Sequence, residues 1–528
     1  MKKSKKIVSL TLALIMLLTA VPVLSFAQEE AAYVPAYDKD TPVVLLHGIG
    51  QNDTYVVDDE GNVLKDNEGG DLTVWPLEID VKALVSEVFP SLLMSVFTRR
   101  DAGLTDAFRE SIDELLYAFR KDNEGNYLNN VYVPSYQCSM AELPESYRKY
   151  YYGMLPMYTC AEVVGNENLY IFGYDSLGDI EETTDLLHKF ITETVLPQTG
   201  AEKVNLCPIS LGGTLAVSYL EMYKQDYDLI KKMVYVIPAM NGSDIVGDIL
   251  TGNLSTEENS ALYGDLLVKL LGDKPAAHLL GLALRVLLPS EVLKDAVQAV
   301  AEGVVITAVR PTTQLWALCP TEYYPQAREK WLMDDEFTVI REKVDAFMKA
   351  RENFPENLAA LTEKGVQSFS ISCYDLELFP LTAGYKTTNS DGIIQSSSTS
   401  MGATFSKLGE TLGENYIAKG TYCTNPDHNH LSPDGEVDAT TGLLPETTWY
   451  FKGQSHEGTA NNKTCIDLAC YLLCDDNLTD VYANPAYPQF MDFTAAKTEK
   501  EFSADAVFNF FAKSATQAVD GVFTFLGQ

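Results

Sequence analysis

Four short segments carry side chains that could together transfer an acyl group. They are "VVLLHGIGQND" (43–53), "LCPISLGG" (206–213), "TTNSDGIIQSSSTSMG" (387–402) and "TTWYFKGQSHEGTANN" (447–462). A serine hydroxyl is a weak nucleophile until a histidine takes its proton, a carboxylate orients that histidine, and amide donors hold the oxyanion that forms. Ser210 stands where a short apolar run turns into an amphipathic pattern, so the spacing predicts strand, sharp turn and helix with the hydroxyl at the bend. Gly212 and Gly213 let that helix start close to the strand, and its N-terminus favours developing negative charge. The amides expected to hold the oxyanion are those of Leu211, directly after the serine, and of Ile49 in the turn after an early strand. His47, Gly48 and Gly50 support that turn.

Asp391, in a polar Asp-Gly turn, is the preferred carboxylate, with Asp375 in "SCYDLELF" as its rival. Among the six histidines, His456 follows a β-type run and lies in a glycine-bounded loop, the expected place for a base. His47 belongs to the oxyanion turn, His188 to a helix and His278 to an apolar helical stretch, which leaves His428 and His430 as rivals. Those two lie in "DHNHLSPDGEVD" (427–438), a run that invites a metal reading. It lacks the EF-hand spacing and any H-E-x-x-H helix, so a solvated, turn-rich loop is preferred over a Ca²⁺ or Zn²⁺ site. No metal and no cofactor is assigned.

These residues need a scaffold. "TPVVLLHGIG", "NENLYIFGYD", "KVNLCPI", "KKMVYVIPAM" and "VQSFSISCYDLEL" are apolar strand-like runs, and helical pattern separates several of them. The rhythm is that of a parallel α/β sheet. "TYVVDDEGNVLKDNEGGDL" predicts a surface hairpin. Residues 245–365 show helical periodicity and little strand signal. They are expected to form a helical cap, either a buried hairpin or a mobile lid with an apolar face for a lipid substrate. Cys465, Cys470 and Cys474 fall on one helical pattern and read as buried thiols. Nine cysteines in all are too few for a disulfide scaffold and leave at least one unpaired.

The chain opens with four lysines, an apolar run and a small-residue site ending at Ala27, the pattern of a cleaved secretory signal over residues 1–27. The expected destination is extracellular, with cell-surface association left open. Residues 28–528 would form one domain with the cap inserted. Without the first 27 residues 35 basic side chains face 74 acidic ones, a formal charge of -39. Such a surface repels nucleic acid and anionic membranes. With 46% hydrophobic residues, the chain is expected to be globular.

The ordered segments, together with "VWP" (74–76), "FGYDSLGD" (172–179) and "PTTQLWALCP" (311–320), resemble the α/β-hydrolase superfamily and, within it, the lecithin:cholesterol acyltransferase-like lipases and esterases. The resemblance implies Ser210 as nucleophile, Asp391 as acid, His456 as base, and the amides of Ile49 and Leu211 as the oxyanion hole. It also implies attack on a carboxylic ester, with a lipid or small-molecule ester as partner, while the apolar cap favours a fatty-acyl substrate and contact with a lipid interface. A lipid acyltransferase or phospholipase would use the same machinery, as would a serine peptidase or amidase. A reading from another class is a non-catalytic secreted binding protein that keeps the shell. The departures from the family pattern are His47, where proline is common, and Pro208 and Ile209, where glycine or histidine-type neighbours are usual.

Overall fold

The computed structural model describes residues 33–66, 69–76, 81–254 and 287–497. The signal-like segment 1–27, His278, part of the 245–365 interval and the C-terminal "FNFFAKSATQAVDGVFTFLGQ" lie outside them. The account below concerns Ala36 onward, a unit separate from Met1–Pro35.

The apolar runs become strands, in chain order β1 (Val43–Leu46), β2 (Thr54–Val56), β3 (Thr73–Trp75), β4 (Val131–Tyr132), β5 (Leu169–Phe172), β6 (Val204–Pro208), β7 (Ile230–Val236), β8 (Gln367–Tyr374), β9 (Thr404–Phe405), β10 (Val437–Asp438), β11 (Thr448–Lys452) and β12 (Phe490–Asp492). Seven of them form one sheet in the order β12-β11-β8-β7-β6-β1-β5, and each neighbouring pair is parallel. β1, β5 and β6 are buried along their whole length, which is why they read as unbroken apolar runs instead of alternating ones. This is the α/β-hydrolase fold: a central sheet, parallel throughout its described strands and flanked by helices, with the serine turn after a central strand. The predicted hairpin is present as β2 and β3, and β4 joins β2 as a third strand.

Helix Gly212–Met222 is buried from Gly212 to Leu220. Behind it lies the 26-residue helix Thr338–Glu363, whose Val344, Phe347, Phe354, Leu358 and Leu361 join Leu215 and Tyr219 in one apolar cluster. Polar contacts lock the pair, with Asn357 and Asn353 donating to Glu221 at 2.7 and 3.2 Å. The end of the 245–365 interval is thus a sheet-flanking helix. Earlier in that interval, helix Ser290–Val304 packs instead on helices Val81–Thr98 and Leu104–Leu115, through Val292, Ala296, Val88 and Leu104. No described helix is long and apolar enough to cross a membrane. Helix Lys463–Cys474 buries Cys465, Cys470 and Cys474 as free thiols, with the sulfurs of Cys160 and Cys474 3.3 Å apart.

Candidate active site

Ser210 follows β6 with φ of 52°, a left-handed conformation that is costly for a residue with a side chain. Four backbone bonds impose it. Ile209 N–H donates to Leu46 O of β1, Ser210 N–H to Val236 O of β7, and Gly213 and Ala239 N–H both donate to Ser210 O. There is no room to relax: a Cβ on Gly212 would lie 2.4 Å from Leu46 O, and one on Gly213 2.8 Å from Pro238 Cβ. The bend therefore presents the hydroxyl above the C-terminal ends of the strands, where open α/β sheets place their ligands.

Pro208 is accommodated by a gap in one ladder. Along β6 the amides of Asn205 and Ile209 point to β1, where they meet Pro42 O and Leu46 O, so alternation turns residue 208 toward β7. The β6–β7 register runs through Leu206↔Met233, lapses, and resumes at Ile209↔Val236. The proline falls in that lapse, where no amide is required.

His456 joins the two remaining members. Its Nε2 lies 2.9 Å from Ser210 Oγ and its Nδ1 2.7 Å from Asp391 Oδ2. Asp391 is fully buried, and its Oδ1 accepts from the amides of Ile393 and Ile394 at 3.0 and 2.7 Å. That leaves Oδ2 for the imidazole. The two loops are also joined through backbone, His456 N–H donating to Asp391 O at 2.9 Å. Burial pushes the His456 pKa down, but the charge and hydrogen bond of Asp391, with Glu457 adding, outweigh it and the net shift is upward.

The turn at 47–50 passes against the serine, since a Cβ on Gly48 would sit 3.1 Å from Ser210 Cβ. Gly48 N–H donates to Gln51 Oε1 at 2.7 Å, and Gly50, at φ of 75°, packs on the Trp75 indole. His47 is buried, stacks on Tyr174 at 4.0 Å, and accepts the Tyr174 amide proton at Nε2. Its Nδ1 therefore carries the proton and donates to Gly48 O, and burial holds its pKa down near 4. It is a neutral prop for the turn. Among the described residues the amides of Ile49 and Leu211 have no acceptor. Two undonated amides beside a histidine-bonded serine can stabilise a tetrahedral oxyanion.

The rivals lie elsewhere. Asp375 belongs to an ionic cluster in which Lys452 also meets Asp434 and Glu436. His188 stacks on Tyr223, and His428 and His430 gather around Tyr482. Gln51 and Tyr174, which fix the turn at 47–50, were not singled out in the sequence; "GIGQND" and "FGYDSLGD" held them without signalling that contact.

No family model and no curated protein matches the chain. Among the solved structures similar to it are three of known description. "The crystal structure of Tle4-Tli4 complex" matches at 13% identity and TM-score 0.34, covering 82% of this chain and 97% of that one. A "Lipase-esterase related protein from Clostridium acetobutylicum ATCC 824" matches at 12% identity and TM-score 0.15, over 38% of this chain and 89% of that one. The "enol-lactonase from Burkholderia xenovorans LB400" matches at 16% identity and TM-score 0.14, over 38% and 86%. Likeness this distant carries no weight for mechanism, which must rest on the geometry of this chain.

Proposed function

We propose that this chain is a secreted serine hydrolase of carboxylic esters, with fatty-acyl esters as its substrate class. The observation that carries the reading is the continuous relay from Ser210 Oγ through His456 to Asp391 Oδ2, at 2.9 and 2.7 Å, beside the free amides of Ile49 and Leu211. In this reading His456 Nε2 takes the hydroxyl proton as Ser210 attacks the ester carbonyl, and Asp391 stabilises the imidazolium. The oxyanion is held by the two amides. Collapse expels the alcohol, which receives the proton from His456, and leaves an acyl-enzyme. Water, activated by the same histidine, releases the acid. An acyltransferase would differ only in admitting a second alcohol at that last step.

The fatty-acyl preference is supported by helix Val81–Thr98, which leaves Leu93, Met94 and Phe97 43%, 52% and 75% exposed beside the helical layer. Exposed apolar side chains on one helix suit contact with a lipid interface. The test is turnover of p-nitrophenyl esters of increasing chain length by the full chain and by Ser210→Ala. Longer acyl chains are expected to be preferred, and Ser210→Ala to lose about 10⁶-fold in kcat. Unchanged turnover in that variant would sink the reading. Fluorophosphonate labelling separates the binding-protein alternative: native protein that takes no label at Ser210 would favour it.

A further inference from the structure

Away from the serine, the fold brings four ligand-type side chains together that are scattered in sequence. One ligand atom each from Cys423, His428, His430 and Glu446 lies within 4.8 Å of the others. Three pairs are closer: Cys423 Sγ to His428 Nδ1 at 3.7 Å, Cys423 Sγ to Glu446 Oε1 at 3.6 Å, and His428 Nδ1 to Glu446 Oε1 at 3.1 Å. Donor atoms about 2.0–2.3 Å from a tetrahedral Zn²⁺ stand about 3.3–3.8 Å from each other, so this quartet is nearly at ligating distance already.

The tautomer of His430 gives an independent indication. Gln489 Nε2 donates to Pro445 O and Thr448 O at 2.7 and 3.1 Å, which fixes its amide so that Oε1 faces His430 Nδ1 at 2.9 Å. A carbonyl oxygen accepts, so Nδ1 must carry the proton. Nε2 is then left with its lone pair, met among the described residues by a long 3.5 Å contact to the Tyr482 hydroxyl. A histidine buried to 1% exposure and oriented in this way through its distal nitrogen is arranged as a metal-ligating histidine is.

We infer that Cys423, His428, His430 and Glu446 bind one structural Zn²⁺. The donor set selects the ion: thiolate and imidazole suit zinc and disfavour Ca²⁺ or Mg²⁺, which take oxygen. Four protein ligands close the site, so it holds structure and leaves no position for a reacting water. Binding forms the Zn–S bond, and the Cys423 thiol proton goes to solvent. The ion would tie the 423–430 loop to Glu446, two residues ahead of β11, with Gln489 one residue ahead of β12. It would thereby clamp the entry of β11 and of the edge strand β12. The sequence expectation of a solvated loop without metal at 427–438 did not include Cys423 and Glu446, which lie outside that window.

The test is metal analysis of the full chain after exposure to zinc chloride and removal of excess over a chelating resin. One zinc per chain is expected in the parent and a loss of at least ten-fold in occupancy in Cys423→Ser and His428→Ala. No retained zinc in the parent, or parent-level zinc in both variants, overturns the inference. Should either variant fail to fold, cobalt substitution of the parent decides: tetrahedral bands with a thiolate-to-cobalt charge-transfer band are expected, and their absence overturns the site. Ester turnover by folded protein is read separately and bears only on Ser210.

Discussion

Asp391 spends its two oxygens differently, Oδ1 on two backbone amides and Oδ2 on His456, and replacement by asparagine exposes what that division does. The amides of Ile393 and Ile394 would keep the asparagine carbonyl, turning its NH₂ toward His456 Nδ1. The imidazole would then have to carry its proton on Nε2, where it cannot accept from Ser210. Asp391→Asn is expected to lower kcat about 10⁴-fold with little change in KM. The pH profile adds a signed expectation. His456 must be neutral to act, so kcat/KM rises with pH through its pKa, which Asp391 holds above the ordinary histidine value. The acidic limb of the parent is expected above that value and should move to lower pH in the variant; a limb that stays put would count against the pairing. That these three side chains would meet was legible, because serine, aspartate and histidine each sat in a turn whose glycines or polar neighbours marked it. Gln51 and Tyr174 were not, since a glutamine or tyrosine that props a neighbouring loop has no local signature.

Among the elements, the tightest fit is between the start of helix Gly212–Met222 and β1. Because an added Cβ at 212 would meet a backbone carbonyl at 2.4 Å, only movement of the helix or strand can relieve it. Gly212→Ala is expected to cost roughly 1–3 kcal/mol of stability, the usual range for overpacking. It should also lower kcat, through displacement of Ser210 and the Leu211 amide. Thermal unfolding with parallel ester kinetics checks both, and parent-like values in each would contradict the contact. Six of the seven sheet strands were legible as apolar or β-branched runs. β12 was not: it is three residues long, pairs on one side only and carries no apolar run. The association of helix Ser290–Val304 with Val81–Thr98 and Leu104–Leu115 was equally hidden, because periodicity shows that a helix has an apolar face and not which distant segment covers it.

Across the whole molecule, acidic charge is the dominant electrostatic fact, and it concentrates usefully at one place. Asp244, at the start of helix Asp244–Thr251, has its pKa raised to about 7 by burial and by the nearby charges of Glu322 and Asp248. Its ordinary value is 3.8, so between about pH 4 and 7 the folded protein keeps a proton that the unfolded chain has released. Stability from this group is complete below that window and falls as pH rises through it. Asp244→Asn is therefore expected to gain in Tm relative to the parent, by more at pH 8 than at pH 5; a constant difference would show that the group does not titrate in this way. The helix is also tied to the Asp391 loop, Ser243 Oγ donating to Ile393 O and Asp244 N–H to Gln395 Oε1. Loosening by charge would thus reach the relay. None of this could be read from the sequence, where Asp244 is one of 74 acidic residues.

The backbone bond from His456 N–H to Asp391 O has a practical corollary. It does not depend on the imidazole, and neither do the amide bonds that hold Asp391 nor those that fix Ser210. Removing the ring by His456→Gly should therefore leave a ring-sized vacancy whose two walls, the serine hydroxyl and the carboxylate, stay in register. Such a vacancy is a receptor for the missing part. Free imidazole added to His456→Gly is expected to restore ester turnover in a saturable manner, while Ser210→Ala gains nothing. Absence of any rescue would mean that the clasp between the two loops gives way once the ring is gone.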